Sequence, residues 1–302
     1  MTALLRTPLL RSTTLGEAFG GAALLKAELL QKTGSFKPRG ILAKLATLSP
    51  EERDRGVITV SAGNAAAAVA YGCAQEQIDC LVVMWRGTSD LKAAAARSYG
   101  ATVDREAADP ADAFARLEDL RAKSGRAFVH PYDDPAVIEG HSSLGREIME
   151  DAPETDVIVT GVGGGGLVSG IAVGAPGARV VGVEPEGSRA WHEALAAGRP
   201  VQVRPESIAD ALNAPIAGEH CLAVCRERGV ESVLVSEEDI RAGFRFLYER
   251  AKLAAEPGAA AATGALLAGK VPDVEGKTVA VVVSGGNVAA KTAAAILSGN
   301  EA

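Results

Sequence analysis

The sequence is poor in features that mark several classes of protein. Only 4% of its 302 residues are aromatic, and no apolar run approaches the roughly 18 residues of a membrane-spanning helix. The 31 basic and 38 acidic residues give a net charge of −7, and no Lys- or Arg-rich stretch interleaves with aromatic residues. We therefore expect no nucleic acid and no membrane among its partners, and a cytoplasmic location.

Cysteine is also scarce, with four residues in the whole chain. Cys73, Cys80, Cys221 and Cys225 lie among Ala, Val and Leu residues and lack Cys-x-x-Cys spacing. This pattern favours buried thiols over disulfides or zinc ligands. The alternative is a metal site, because Cys221 and Cys225 lie four residues apart on a predicted helix beside His220.

From residue 56 onward, short β-rich runs alternate with Ala-rich segments of helical length. This alternation predicts an α/β protein with mostly parallel sheets and helices on both faces. The predicted strands span residues 57–61, 80–85, 127–130, 156–161, 179–184, 232–236 and 278–284. The predicted helices span residues 64–75, 89–98, 110–123, 237–252 and 258–268.

Four consecutive glycines follow one of the predicted strands. Gly163, Gly164, Gly165 and Gly166 come after DVIVTGV and lead into LVSGIAVG, which can begin a helix. Glycines let several N–H groups converge, and a helix N-terminus favours a bound anion. The loop therefore predicts a phosphate site. A flexible turn is the alternative, because the loop matches neither the dinucleotide G-x-G-x-x-G pattern nor the Walker pattern.

Two further strands end in small polar residues. Ser61, Ala62, Gly63 and Asn64 follow VITV and open an Ala-rich helix, so their N–H groups and side chains can bind a carboxylate. An ordinary helix N-cap uses the same residue types and is the alternative interpretation. Residues 284–287, Ser-Gly-Gly-Asn, follow TVAVVV in the same way and have the same two interpretations.

Lys37 lies in the segment QKTGSFKPRG, between Phe36 and Pro38. Most lysines are simply solvated. Here the surrounding Gly, Phe and Pro residues predict a tight turn rather than a charged helix face. A lysine held near a pocket at a sheet edge is a candidate Schiff-base former, because desolvation lowers its pKa.

Together these segments resemble the fold-type-II pyridoxal-phosphate enzymes, and among them the threonine dehydratase and serine racemase group. The resemblance covers nearly the whole chain, in family order. It rests on TPL at residues 7–9, KAELLQKTGSFKPRG at 26–40, SAGN at 61–64, HPYDDPAVIEGH at 130–141, VGGGGLVSG at 162–170 and SGGN at 284–287.

The resemblance implies a tryptophan-synthase-β-like fold with two open, twisted, mostly parallel sheets and helices on both faces. It implies a large cofactor-binding domain formed by residues 1–53 and 136–302, and a small mobile domain formed by residues 54–135. It also implies a homodimer.

The resemblance further assigns roles to individual residues. Lys37 would be the Schiff-base lysine and catalytic base, and Ser284 would be the catalytic partner of the pyridine nitrogen. The implied pyridoxal phosphate site comprises Phe36, Lys37, Asn64, Gly163, Gly164, Gly165, Gly166, Leu167, Glu256, Ser284 and Asn287. The implied substrate carboxylate site comprises Ser61, Ala62, Gly63, Asn64 and Ala65.

The implied activity is β-elimination of a small β-hydroxy amino acid, such as L-threonine or L-serine, to a 2-oxo acid and ammonia. The alternatives are 3-hydroxyaspartate or phenylserine as substrate, a racemase or β-replacement synthase on the same fold, and a non-catalytic phosphate binder. Such a binder would not require Lys37.

The sequence departs from the group at several positions. Ala62 stands where serine racemases carry a serine that acts as the second acid or base, which disfavours racemisation. Ala65 replaces a His, and His141 replaces a Gln, so the preferred substrate side chain is open. A divalent cation assists some members of the group, and Glu184 matches one of its ligands. The sequence therefore leaves open whether Mg²⁺ or K⁺ is a second cofactor, and it identifies no other ligand.

Overall fold

The computed structural model describes residues 4–299 and contains ten strands and thirteen α-helices in that range. The strands are β1 (Leu9–Arg11), β2 (Ala22–Lys26), β3 (Val57–Val60), β4 (Cys80–Trp85), β5 (Thr102–Ala107), β6 (Ala127–Phe128), β7 (Val157–Gly161), β8 (Arg179–Pro185), β9 (Glu231–Val235) and β10 (Thr278–Val282). The first seven helices are α1 (Thr13–Phe19), α2 (Pro38–Ala46), α3 (Pro50–Arg55), α4 (Asn64–Glu76), α5 (Asp90–Ser98), α6 (Pro110–Ser124) and α7 (Pro135–Asp151). The remaining helices are α8 (Gly166–Gly174), α9 (Ala190–Ala197), α10 (Glu219–Glu227), α11 (Glu237–Glu249), α12 (Pro257–Leu267) and α13 (Ala290–Leu297).

The larger sheet has six strands in the order β1-β2-β10-β7-β8-β9, and only β1 runs antiparallel to its neighbour. Alternate residues of its central strands pack on opposite faces. Val157 and Val159 of β7 pack with α11 and α12, whereas Ile158 packs with α7, α8 and α10. Helices therefore cover both faces of this sheet, as the alternating sequence pattern predicts.

The smaller sheet has four parallel strands in the order β5-β4-β3-β6. Its central strands β3 and β4 are apolar, and the Ala-rich helix α4 packs on them with Val69 fully buried. All four strands lie within residues 54–135, the range predicted for the small domain. The domain limits and the mobility of that domain stay predictions.

Helix α2 lies where the two sheets meet. Ile41 and Leu45 pack into the core of the four-stranded sheet. A Cβ added at Gly40 would lie 2.5 Å from Nε2 of His141 in α7. A Cβ added at Gly72 of α4 would lie 2.7 Å from Cδ1 of Leu45. These close approaches need glycine, and they place the start of α2 between the two layers.

All seven predicted strands and all five predicted helices are present, with ends within three residues of the predicted ones. Three strands were missed. β1 is only three residues long, β2 contains the charged Lys26, and β5 reads TVDREA at a sheet edge, where polar side chains are tolerated.

The four cysteines are free and buried, as predicted. Within residues 4–299, no helix combines the length and the apolar character needed to cross a membrane.

Candidate active site

The segment that carries Lys37 is fastened to the end of β10. Ser35 pairs with Gly285 in an isolated antiparallel bridge, and the Phe36 N–H donates to the Ser284 carbonyl at 3.0 Å. Lys37 then precedes α2, and Pro38 occupies the first helical position, where the missing N–H is not needed. The chain therefore brings Lys37 beside the Ser284 end of the central strand.

The Lys37 side chain points into a partly enclosed space. Its Nζ donates to the carbonyl of Pro131 at 2.7 Å and lies 5.0 Å from the centroid of the Phe36 ring. Burial lowers the pKa of the Lys37 ammonium to about 8, against weaker opposing effects of Cys221 and Glu256. An appreciable share of this amine is therefore neutral near pH 7, as a nucleophile or base requires.

Two residues beyond Lys37, the Arg39 guanidinium sits in a buried ion network. It donates to both oxygens of Glu28, at 2.7 and 2.8 Å, and to both oxygens of Glu147, each at 2.8 Å. The buried Lys26 ammonium donates to Glu147 at 2.7 Å and balances the charge. Thr7 donates a short hydrogen bond to Glu28. The charged residues of the Lys37 motif thus fix the start of α2.

The glycine loop between β7 and α8 has its carbonyl groups tied back into the protein. The Gly164 oxygen accepts the Gly218 N–H at 2.9 Å, and the Gly165 oxygen accepts the Ser169 N–H at 3.0 Å. The Gly166 oxygen lies 3.1 Å from Nδ1 of His141. Because C=O and N–H point in opposite directions in a trans peptide, the loop N–H groups face the other side.

The N–H groups of this loop are free to bind a ligand. From residue 163 to residue 167, none of them has a hydrogen-bond acceptor within residues 4–299. Gly165 has a φ of 101°, a left-handed conformation that favours glycine. Five free donors at the N-terminus of α8 form an anion site.

The walls of the glycine loop come from two other segments. A Cβ at Gly164 would overlap the Tyr132 ring, and a Cβ at Gly165 would lie 2.8 Å from that of Cys221. Tyr132 is held by a hydrogen bond from its hydroxyl to the Ile216 carbonyl, at 3.1 Å. The loop is therefore tightly packed and accepts no side chain.

The second predicted anion loop lies between β3 and α4. The N–H groups of Ala62, Asn64 and Ala65 have no acceptor within residues 4–299. The Gly63 N–H donates to the Ser61 hydroxyl at 3.2 Å, and a Cβ at Gly63 would meet nothing within 4 Å. This loop presents free donors to open space, as a site for a carboxylate requires.

A chain of polar side chains joins this loop to the end of β10. Asn64 Nδ2 donates to Glu256 Oε1 at 2.7 Å, and Asn287 Nδ2 donates to Asn64 Oδ1 at 2.8 Å. Burial raises the pKa of the Glu256 carboxyl to about 7, helped by the nearby Asp210. The Ser284 side chain is largely buried, and its hydroxyl has no hydrogen-bond partner in the described range.

Contacts therefore link predicted residues from separate parts of the chain: Lys37 contacts Pro131, whose neighbour Tyr132 packs on the glycine loop, and Asn64 is joined to Glu256 and Asn287. A family model described as pyridoxal-phosphate dependent enzyme matches residues 1–285. The chain belongs to this family.

Several individual relatives agree with this membership. The phenylserine dehydratase of Ralstonia pickettii is 38% identical, over 95% of this chain and 89% of the relative. The L-threonine ammonia-lyase of Thermotoga maritima is 41% identical, over 94% of this chain and 71% of the relative. The serine racemase structure from Dictyostelium discoideum superposes with a TM-score of 0.89 at 33% identity, over 95% of this chain and 94% of that one. The predicted fold type II is thus confirmed.

The residues present fit pyridoxal phosphate. The five unpartnered N–H groups of the glycine loop match a phosphate, which accepts several hydrogen bonds. The Lys37 amine, with its depressed pKa, matches the aldehyde. The unpartnered Ser284 hydroxyl and the Phe36 ring lie beside Lys37 and are available to a pyridine ring.

Glu184, the candidate metal ligand, has another role in the structure. Its carboxylate accepts the N–H groups of Trp191 and His192, at 2.9 and 2.7 Å, and so caps α9. Residues 4–299 contain no group of three or more His, Cys, Asp or Glu side chains arranged to hold a metal ion.

His141 and Ala65, two of the departures from the family pattern, are both buried. His141 lies behind the glycine loop and against the Phe36 ring, not at the surface of the cleft.

The sequence interpretation missed the parts of the site that come from the segment HPYDD. The Pro131 carbonyl and the Tyr132 ring contact Lys37 and the glycine loop, respectively. His130 Nδ1 accepts the Tyr132 and Asp133 N–H groups, at 3.2 and 2.8 Å, which fixes this segment. The motif itself was the only signal, because nothing local in it indicates these distant contacts.

Proposed function

We propose that this chain holds pyridoxal phosphate at Lys37 and eliminates the β-hydroxyl and amino groups of a small β-hydroxy amino acid. L-Threonine or L-serine would give the corresponding 2-oxo acid and ammonia. The observation that carries the proposal is a buried lysine of depressed pKa, fastened through Phe36 to the Ser284 end of β10, in a chain that has two loops with free N–H groups. A substrate of this class brings one carboxylate, and the cofactor brings one phosphate, so each loop has one anion to bind.

The chain's own groups supply binding and proton transfer. The glycine loop holds the phosphate, and the loop at residues 61–65 holds the substrate carboxylate. Lys37, once released as a neutral amine, takes the α-proton, and its pKa of about 8 leaves about half of the amine neutral near pH 8. The cofactor, when bound, supplies the electron sink for the charge left at the α-carbon.

Two residues favour elimination over the alternatives on this fold. Ser284 offers a hydroxyl rather than a carboxylate, so it gives no strong incentive to protonate the pyridine nitrogen, and the β-hydroxyl leaves promptly. Ala62 carries no proton, so the site has one base, which suffices for elimination but not for racemisation. Ser284 thus favours elimination over transamination, and Ala62 disfavours a racemase.

The proposal does not specify the side chain of the substrate. The relatives act, by their names, on phenylserine and on L-threonine, and 3-hydroxyaspartate is a further alternative. The proposal also includes a homodimer and a small mobile domain at residues 54–135, both supported by the resemblance alone, and a cytoplasmic location, which rests on the composition of the sequence. Whether activity also depends on Mg²⁺ or K⁺ is tested by assays with and without each ion.

The first experiment tests the role of Lys37. The purified protein loaded with pyridoxal phosphate is expected to absorb in the visible, and borohydride reduction should attach the cofactor to Lys37. Lys37→Ala should lose both the covalent linkage and the release of 2-oxo acid from a panel of β-hydroxy amino acids. Lys32→Ala removes an exposed lysine of the same segment and is the matched control. Attachment to another lysine, or unchanged turnover in Lys37→Ala, would contradict the proposal.

A further inference from the structure

We propose that His141 is a positioning residue for the phosphate loop, because its ring holds the Gly166 carbonyl so that the Leu167 N–H faces the anion. The inference rests on the proposed binding of pyridoxal phosphate at this loop. It assigns a role to a residue at which the chain departs from the glutamine of the group that it resembles.

The hydrogen bond defines the tautomer of the ring. His141 is fully buried, and its Nδ1 lies 3.1 Å from the Gly166 oxygen. A carbonyl oxygen only accepts, so Nδ1 carries the proton and Nε2 is unprotonated in the neutral ring. Burial lowers the pKa of His141 to about 3, helped by the charge of Lys37, so the ring stays neutral.

Among the three tied carbonyls of the loop, that of Gly166 is the one that accepts from a side chain outside α8. Because Gly166 is the first residue of α8, its carbonyl also belongs to the first helical turn, so the helix and the imidazole hold it together. Backbone N–H groups hold the carbonyls of Gly164 and Gly165. The Gly166 oxygen accepts from His141 at 3.1 Å and from the Ser169 hydroxyl at 3.2 Å, and that hydroxyl lies closer to Gly165, at 2.8 Å. Since Gly166 and Leu167 share one trans peptide plane, holding this oxygen aims the Leu167 N–H to the opposite side.

The neighbouring helices leave room for an imidazole at this place. A Cβ at Gly170 of α8 would overlap Cβ of His141, and a Cβ at Gly40 of α2 would lie 2.5 Å from its Nε2. Nε2 is buried and has no hydrogen-bond partner within the described residues. The ring therefore makes its one hydrogen bond toward the phosphate loop.

The same ring also supports the residue beside the Schiff-base lysine. The centroids of the His141 and Phe36 rings are 4.9 Å apart, at an interplanar angle of 59°. A role through Phe36 alone would affect the pyridine ring of the cofactor, whereas a role through Gly166 would affect the phosphate. This difference allows a direct test.

The test compares two forms of the cofactor on the apoprotein, by absorbance titration with pyridoxal phosphate and with pyridoxal, which lacks the phosphate. His141→Leu removes the donor and keeps an apolar side chain of similar size. We expect it to weaken pyridoxal phosphate binding about ten-fold, the effect of one lost hydrogen bond, and to leave pyridoxal binding unchanged. His141→Gln keeps a donor and should stay within about three-fold of the parent protein for both ligands.

Thr155→Val is the matched control, because it removes another buried side-chain-to-carbonyl hydrogen bond, to Ala152, away from the loop. It should leave both affinities unchanged. If His141→Leu does not fold, His141→Met removes the donor with a more adaptable side chain. Equal losses for pyridoxal phosphate and pyridoxal, or no loss in a folded variant, would overturn the proposal. A parent protein that binds neither ligand would instead contradict the proposed function.

Discussion

The two anion loops use the same chemistry but differ in how firmly they are held. In the glycine loop, three consecutive carbonyls are hydrogen-bonded, and the Tyr132 ring and Cys221 pack directly on the glycines. In the loop at residues 61–65, the Ser61 N–H, the Gly63 N–H and the Gly63 carbonyl are hydrogen-bonded, but a Cβ at Gly63 would meet nothing within 4 Å, so nothing packs on this glycine. Both loops begin a helix with free N–H groups.

The difference matches what the proposed function requires of each loop. A phosphate that remains bound through many turnovers benefits from donors that are already oriented, because no ordering cost is then incurred on binding. A substrate carboxylate must enter and leave in each cycle, and an open loop permits that exchange. Rigidity around similar N–H groups therefore distinguishes a site for a resident group from a site for a transient one.

The largest expected difference between the two loops is in cofactor affinity after one methyl group is added to each. Gly164→Ala places a Cβ against the Tyr132 ring, so we expect the affinity for pyridoxal phosphate to fall about 100-fold or more. Gly63→Ala has open space and an extended φ of −151°, so cofactor affinity should be unchanged and only KM should rise. Equilibrium dialysis measures the cofactor affinity, and steady-state kinetics measures KM. Equal cofactor loss in both variants would remove the distinction between the loops.

A smaller effect should separate Lys37 from the glycine loop. Burial sets the pKa of the Lys37 ammonium at about 8, and only the neutral amine attacks the aldehyde. The rate of covalent attachment of pyridoxal phosphate should therefore rise about ten-fold per pH unit below pH 8 and level off above it. Stopped-flow absorbance measures this rate.

The matched ligand for this pH experiment is 4′-deoxypyridoxine phosphate, which lacks the aldehyde and tests the loop alone. Its affinity should change far less than the attachment rate between pH 7 and 9, because the phosphate is already about 90% doubly ionised at pH 7. An attachment rate that still rises steeply at pH 10 would mean that Lys37 has an ordinary pKa.

The smallest expected effect is a side reaction introduced in the open loop. Ala62→Ser adds a hydroxyl at the position where serine racemases of the group carry a serine, and it should allow slow racemisation, about 100-fold slower than elimination. Cofactor retention should not change. Chiral chromatography of the residual substrate measures the opposite enantiomer. Substantial racemisation by the parent protein would show that another group already supplies the second proton.

Local sequence patterns predicted the strands, the helices and the turn-rich loops of the structure. β4 at Cys80–Trp85 has the predicted ends, and the free N–H groups lie in the predicted glycine loop. Periodicity and turn residues report on the neighbouring chain only. They could not predict that Arg39 would pair with Glu147, 108 residues away, or that Tyr132 would pack on Gly164. Those contacts exist because segments far apart in the sequence converge in the fold.

The arrangement of the two sheets along the chain also has a consequence for the order of folding. The four-stranded sheet is built from one continuous stretch, residues 57–128, whereas the six-stranded sheet joins residues 9–26 to residues 157–282. Contacts between nearby parts of a chain form faster, and chains fold from the N-terminus as they are synthesised. The smaller sheet can therefore form on a nascent chain before β10, the neighbour of β2 in the larger sheet, has been synthesised. The ion network around Arg39 closes only after Glu147 has been made, so the lysine that carries the chemistry becomes fixed late.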